Sequence, residues 1–256
     1  MTQSSARRAW VAAIFAVTAV VFACTSISDS STAVLSIQFD SLPTPAVVVN
    51  DTLRDTTGAI VHPVVRAFNF KGGEVVPAPV WFQSPDSGIT VDSATGIIVA
   101  DSLRSSSARI IATVGKLQAI QRVDVTLRPD LITAVNALDS LKYSVLDTTK
   151  NVSGQLQVKL THGVSNDSAV KSYIVSFAIV YQSNPQLGEL VNDNNKLSSV
   201  DTTDANGIAG RKIRMHPVFL GSSAVDSIVV NATARYRGTP VSGSPVRLVL
   251  LLKPLS

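Results

Sequence analysis

Beyond residue 32 the apolar positions fall into short β-branched runs. AVVV (46–49), VHPVV (61–65), PVWF (79–82), GIIVA (96–100) and RIIATV (109–114) are separated by Gly, Pro, Asp or Ser. Runs of this length and content between turn formers read as strands. LQAIQRVDVTL (117–127) follows Gly115-Lys116, so RIIATV and this run form a hairpin. The pattern resumes after Pro129. LQVKL (156–160) alternates with Leu156, Val158 and Leu160 on one face, whereas YIVSFAIVY (173–181) is apolar on both, as in a central strand. DSIVVNATARY (226–236) and SPVRLVLLL (244–252) predict a closing hairpin joined through Arg237-Gly238-Thr239-Pro240. Only LITAVNALDSL (131–141) has helical character; it lacks a sustained 3.6 period and reads equally as linker plus first strand.

The N-terminus follows another rule. Arg7 and Arg8 precede the apolar run WVAAIFAVTAVVFA, and no acidic residue interrupts it. At about fourteen residues the run suits the h-region of a secretory signal and is short for a membrane span. It ends VFAC, with Ala23 before Cys24. This string resembles the bacterial lipobox, with Phe22 standing where the family has a smaller residue. The alternative is an ordinary signal peptide followed by an incidental cysteine. The resemblance implies cleavage between Ala23 and Cys24, acylation of Cys24, and membrane attachment through several lipid chains, which anchor far more firmly than one. Thr25, rather than Asp, follows the cysteine, which in the family's sorting rule favours the outer membrane; the leaflet stays open. Residues 1–23 are then signal peptide and 24–32, with the polar string TSISDSST, a lipidated tether.

Processing alters the charge. The chain has 22 Lys and Arg against 18 Asp and Glu, and loss of Arg7 and Arg8 leaves 20 against 18. No basic stripe interleaved with aromatics appears, so nucleic acid is not an expected partner. Cys24 is the only cysteine, so the folded part must hold by packing without intrachain disulfides.

VDSATGI (91–97) and VDTTDANGI (200–208) share a Val-Asp start and a Gly-Ile end, each followed by a strand and an apolar hairpin. Two tandem units of about a hundred residues, an all-β pair of sandwiches, account for this repetition. The first unit, 33–128, resembles the group 2 bacterial Ig-like domains. Trp81, Ser84, Asp86, Val91, Asp92, Thr95, Gly96 and Ala112 to Gly115 match that family's order. ADSLRSSSA replaces its small A-G-x-A segment. The second unit, 134–256, resembles the group 1 domains of invasin- and intimin-type proteins through TDANGIA (203–209) and NATARYRG (231–238). VYQSNPQLGELVNDNNKLSS (180–199) departs from that pattern. The resemblances imply two tandem Ig-like β-sandwich domains after a lipoprotein signal peptide, with Trp81 in the first core.

Candidate chemistry is sparse. A calcium loop with Gly207 at its sixth position would put Thr202 and Ile213 at the first and twelfth, where acids belong. Asn206-Gly207 suits a turn, and Asp204 can bond its own backbone two residues on. Asn192-Asp193-Asn194-Asn195 holds one carboxylate and reads as a loop. His62, His162 and His216 show no ligand spacing, and His62 and His216 each precede a proline. No metal or cofactor is expected. Ser168-Ala-Val-Lys171 matches S-x-x-K, but its Ser-Asp-Asn and Lys-Thr-Gly partner strings are missing and the stretch runs into a strand. The Asn-x-Ser/Thr strings at Asn50, Asn151, Asn166 and Asn231 are chance products of Ser/Thr-rich β sequence beside a lipobox.

Three functions follow in order of expectation. The first is a non-catalytic, lipid-anchored binding or adhesion module for an unknown protein or polysaccharide. The second is a structural spacer or accessory subunit of an envelope assembly, with a carbohydrate-binding module as a further variant. The third, an enzyme, is disfavoured because no convergent titratable set stands out. Tyr181 and Tyr236, at strand ends, are the aromatic loop candidates.

Overall fold

The structure is a computed structural model that describes residues 33–254 apart from Pro77, Val164, Asn166, Asp167 and 221–225. Ala23, Cys24 and the acceptor string at Asn166 lie outside the described residues.

The chain is all-β. The first unit carries β1 (Ser36–Phe39), β2 (Ala46–Val48), β3 (Asp51–Thr52), β4 (Val65–Phe68), β5 (Trp81–Gln83), β6 (Ile89–Val91), β7 (Ile98–Ala100), β8 (Ala108–Val114) and β9 (Leu117–Thr126). The second carries β10 (Leu131–Ala134), β11 (Leu138–Tyr143), β12 (Leu156–His162), β13 (Ser168–Ala169), β14 (Ile174–Tyr181), β15 (Gly188–Val191) and β16 (Val200–Thr202). It ends with β17 (Ile208–Met215), β18 (Asp226–Thr233), β19 (Arg235–Tyr236), β20 (Thr239–Pro240) and β21 (Val246–Pro254). The stretch 131–141 is thus two strands. They belong to different sheets, so the chain crosses from one layer to the other between them.

In the first unit the sheet β2-β9-β8-β5 faces β3-β7-β6 and the β1-β4 pair. In the second, β10-β12-β17-β15 faces β11-β21-β18-β14-β16. Each pair of layers encloses its own core. Leu53, Ile98 and Ile110 are fully buried in the first, and Leu156, Leu160, Ile213, Ile228, Leu248 and Leu250 in the larger second. The predicted hairpin across Gly115-Lys116 forms, with Val114 opposite Leu117 and Gly115 at φ +60°. Leu156, Val158 and Leu160 share the buried face of β12 as their alternation requires.

Two expectations are corrected. Trp81 is 62 % exposed, and Phe82 fills the core in its place. Pairing of β5 with β8 puts Phe82 opposite the fully buried Ala112 and Trp81 opposite Thr113, so the two-residue period sends the indole outward. Gly96 makes room for Phe82, since a Cβ there would lie 3.1 Å from the phenyl ring. Trp81→Ser should therefore change stability by less than about 0.5 kcal/mol, whereas Phe82→Ala should cost about 3 kcal/mol; urea unfolding of the two variants checks the ordering.

The second correction concerns β14. Val175 and Phe177 are buried, but Ser176, Ala178 and Val180 face outward. The strand lies second from the sheet edge, between β18 and β16, and its outward positions Ser176, Ala178 and Val180 stay exposed. Its apolar outer positions are small or β-branched, consistent with strand propensity rather than with a second buried face.

Candidate functional site

The stretch that suggested calcium is a turn. Asp204 Oδ1 accepts the backbone N–H groups of Asn206 and Ile208 at 2.8 and 2.9 Å, and Gly207 N–H donates to the Asp204 carbonyl. Gly207 has φ +76°, and a Cβ there would lie 2.5 Å from the Leu160 carbonyl oxygen. The same arrangement recurs at Asp55, Asn69 and Asn192, with Gly58, Gly72 and Asn195 as the positive-φ residue. The Asn192–Asn195 cluster is therefore an ordered turn. The two strings that suggested a repeat align differently from their letters. Asp92 caps the first turn, its counterpart is Asp204, and Asp201 instead accepts from Gly210 N–H and pairs with Arg211.

The other sequence candidates stay apart. His162 contacts Asp130, His216 lies 3.4 Å from Glu189, and His62 contacts its neighbour Pro63. Among the described residues no three His, Cys, Asp or Glu side chains gather as a metal site. Ser168 lies in β13, opposite His162, on a strand and not at a helix start. Asn151 is fully buried, bonding Ser144 through its side-chain amide in both directions, so it is inaccessible as an acceptor.

What the chain does bring together is a junction between the two units. Asp51, at the start of β3, is 5 % exposed. Its Oδ1 accepts from Thr52 N–H, Arg54 Nε and Arg237 Nη2, and its Oδ2 from the Tyr236 hydroxyl and Arg237 Nε. Burial alone would raise the pKa of this carboxyl. The Arg237 guanidinium, the Thr52 amide, Tyr236 and Arg54 outweigh it and hold the group far below its ordinary range. Arg237 also stacks over Tyr236 at 5.4 Å. Beside this cluster the turn at Gly58 dovetails with the β19–β20 turn. A Cβ on Gly58 would lie 2.5 Å from Gly238 N, and one on Gly238 2.5 Å from the Thr57 carbonyl oxygen.

A second seam runs along the end of β9. Asp124 accepts the Ser107 and Ser172 hydroxyls, and Thr126 Oγ1 donates to the Lys171 carbonyl at 2.6 Å. Ser172 takes φ +55°, a conformation costly for a residue with a side chain. Its N–H bond to Thr203 and its hydroxyl bond to Asp124 hold it there.

Between the units lies a cleft of about 220 Å³. One wall is the outer face of β14 and β18, where Ser176 stands opposite Thr233 and Ala178 opposite Asn231. Ala46 and Val48 come from the first unit, and Arg54, Arg235 and Arg237 also line the cleft, with Tyr173 and Tyr236. Burial raises the Tyr173 pKa, reinforced by nearby Tyr236 and Asp51, so its hydroxyl stays a donor, bonding the Arg235 carbonyl at 2.6 Å. Tyr236, singled out as a strand-end aromatic, is part of this site; Tyr181 is 56 % exposed and is not. Asp51 was not legible as a partner of Arg237. Asn50-Asp51-Thr52 showed only an acid at the end of an apolar run, and the pair are 186 positions apart.

No family model matches the chain, and no curated protein does. Among solved structures, domains 4 and 5 of the S-layer protein SbsC are 10 % identical over 87 % of this chain and 99 % of that one, with a TM-score of 0.31. Human protocadherin-24 EC1-2 is 12 % identical over 88 % and 99 %, with a TM-score of 0.29. Scores this low carry no argument about what the protein does.

Proposed function

We propose that the chain is a lipid-anchored, non-catalytic binding module of a bacterial cell envelope. It is divided into two tandem domains, 33–128 and 134–256, held at a set angle. The observation that supports binding over a plain spacer is the junction: a buried, five-fold hydrogen-bonded Asp51 fixes the walls of a polar cleft. A spacer needs only a stiff connection, whereas the cleft offers preorganised donors. The anchor is Cys24, read from the VFAC string, and the partner is a protein or polysaccharide within reach of the membrane.

Two readouts on one strain test this reading. Full-length protein with a C-terminal tag, expressed in bacteria fed labelled palmitate, should carry label that the Cys24→Ser variant lacks. Protease added to intact cells should remove the tag if the units face outward, and only after lysis if they face the periplasm. An unlabelled wild-type protein recovered in the soluble fraction overturns the anchor.

A further inference from the structure

We propose that the inter-unit cleft binds one residue of an acidic saccharide, a hydroxylated ring bearing a single carboxylate. The assignment deepens the binding-module reading and rests on it for biological context, while its own support is the hydrogen-bonding capacity left unused in the cleft.

Ser176, Asn231 and Thr233 line the cleft from one sheet face, and their side chains make no hydrogen bond among the described residues. All three both donate and accept, as ring hydroxyls require. The guanidiniums are only partly engaged. Arg237 uses Nε and Nη2, Arg54 uses Nε and Nη1, and Arg235 uses Nη1 alone. Each keeps a nitrogen with no partner among the described residues. The carboxylates are more fully used: five donors converge on Asp51, and Asp55 ties Oδ1 into its own turn, leaving Oδ2 as the one carboxylate oxygen of the lining with no partner among the described residues.

Three guanidiniums therefore face two carboxylates, and the spare capacity is dominated by donors. A ligand that answers this set is rich in acceptors and negatively charged. Guanidinium forks suit a carboxylate, and two of the three are already fixed by Asp51, so little rotamer entropy remains to be lost. Ala46 and Val48 supply apolar contact, both 7 % exposed, for the C–H face of a sugar ring. The volume of about 220 Å³ admits one ring and excludes a longer segment from full burial.

The test is calorimetric titration of the full-length protein in detergent with glucuronate, glucose and acetate. Glucuronate should bind with a Kd of about 1 mM, the range for a ligand of about a dozen non-hydrogen atoms. Glucose, lacking the carboxylate, and acetate, lacking the hydroxyls, should each bind at least about tenfold more weakly. Asn231→Ala should weaken glucuronate about fivefold without moving the thermal midpoint of the free protein, because that amide has no partner to lose. Acetate binding as tightly as glucuronate would reduce the site to a generic anion contact and overturn the proposal. So would no saturable glucuronate binding, or an unchanged affinity in Asn231→Ala. Those failures leave palmitate labelling and protease sensitivity untouched, so loss of the ligand assignment is distinct from loss of the envelope-module reading.

Discussion

Asp51→Asn should destabilise the junction by about 2 kcal/mol at pH 7 and separate the unfolding of the two units. The carboxylate is 5 % exposed and receives five hydrogen bonds, two from Arg237 across the junction. An amide in its place keeps the shape, removes the charge, and turns an N–H₂ group toward guanidinium and hydroxyl donors. Breaking a buried ion pair commonly costs about 3–5 kcal/mol, but Arg237 is half-exposed and can turn to water, so the lower figure of about 2 applies. Scanning calorimetry should show a single transition in the parent and two in the variant. An unsplit transition at the parent temperature would mean that the Gly58–Gly238 contact and the Asp124 seam hold the units without Asp51.

The same residue predicts a pH dependence. Its folded pKa lies below the ordinary 3.8, so the ionised form contributes fully above about pH 5, where unfolded carboxyls are almost wholly ionised too. That contribution falls as pH drops below 3.8 toward the folded value. The gap in stability between parent and Asp51→Asn should therefore be constant from neutral pH to about pH 5 and narrow below it.

Leu248→Ala should cost about 3–4 kcal/mol, the largest single effect expected in the second unit. Leu248 is fully buried in β21, opposite Val230, and belongs to the larger core. Truncation leaves a void where both sheets are clamped by strand pairing and cannot collapse to fill it. Leu138→Ala, on the outer face of the same sheet and 62 % exposed, should stay within about 0.5 kcal/mol. Urea unfolding followed by circular dichroism separates the two cases, and hydrogen exchange should leave protection of β8 in the first core unchanged in Leu248→Ala. Equal costs for both variants would mean that the core has been misplaced.

What the sequence disclosed was local. Gly115-Lys116 between two apolar runs specified a hairpin because a two-residue turn fixes register by itself. Asp204 to Gly207 specified a turn for the same reason, and the spacing of an Asp or Asn three residues before a Gly or Asn recurs at 55, 69 and 192. Orientation was harder to read. In Trp81-Phe82 either ring could face inward, and parity was settled by Ala112 across the ladder, not by anything adjacent. For β14, the run YIVSFAIVY offered Ser176 alone, between apolar neighbours, to mark an outer face. The junction was invisible because Asp51 and Arg237 meet only after both units have formed. The cleft inherits that invisibility, since its walls come from β2, β14 and β18 together with the Tyr236-Arg237 turn.

In both units an early strand lies parallel to the last: β2 beside β9, with Ala46 opposite Asp124, and β11 beside β21, with Leu138 opposite Val249. Parallel neighbours have their chain entries at one end and exits at the other. A pull that enters through β2 and leaves through β9 therefore drags the strands past each other, and every rung resists together. An antiparallel hairpin pulled at its open end would instead peel one rung at a time. The two units are in series along the chain, so tension on it would meet two shear clamps, each of which must fail as a whole before its core is exposed.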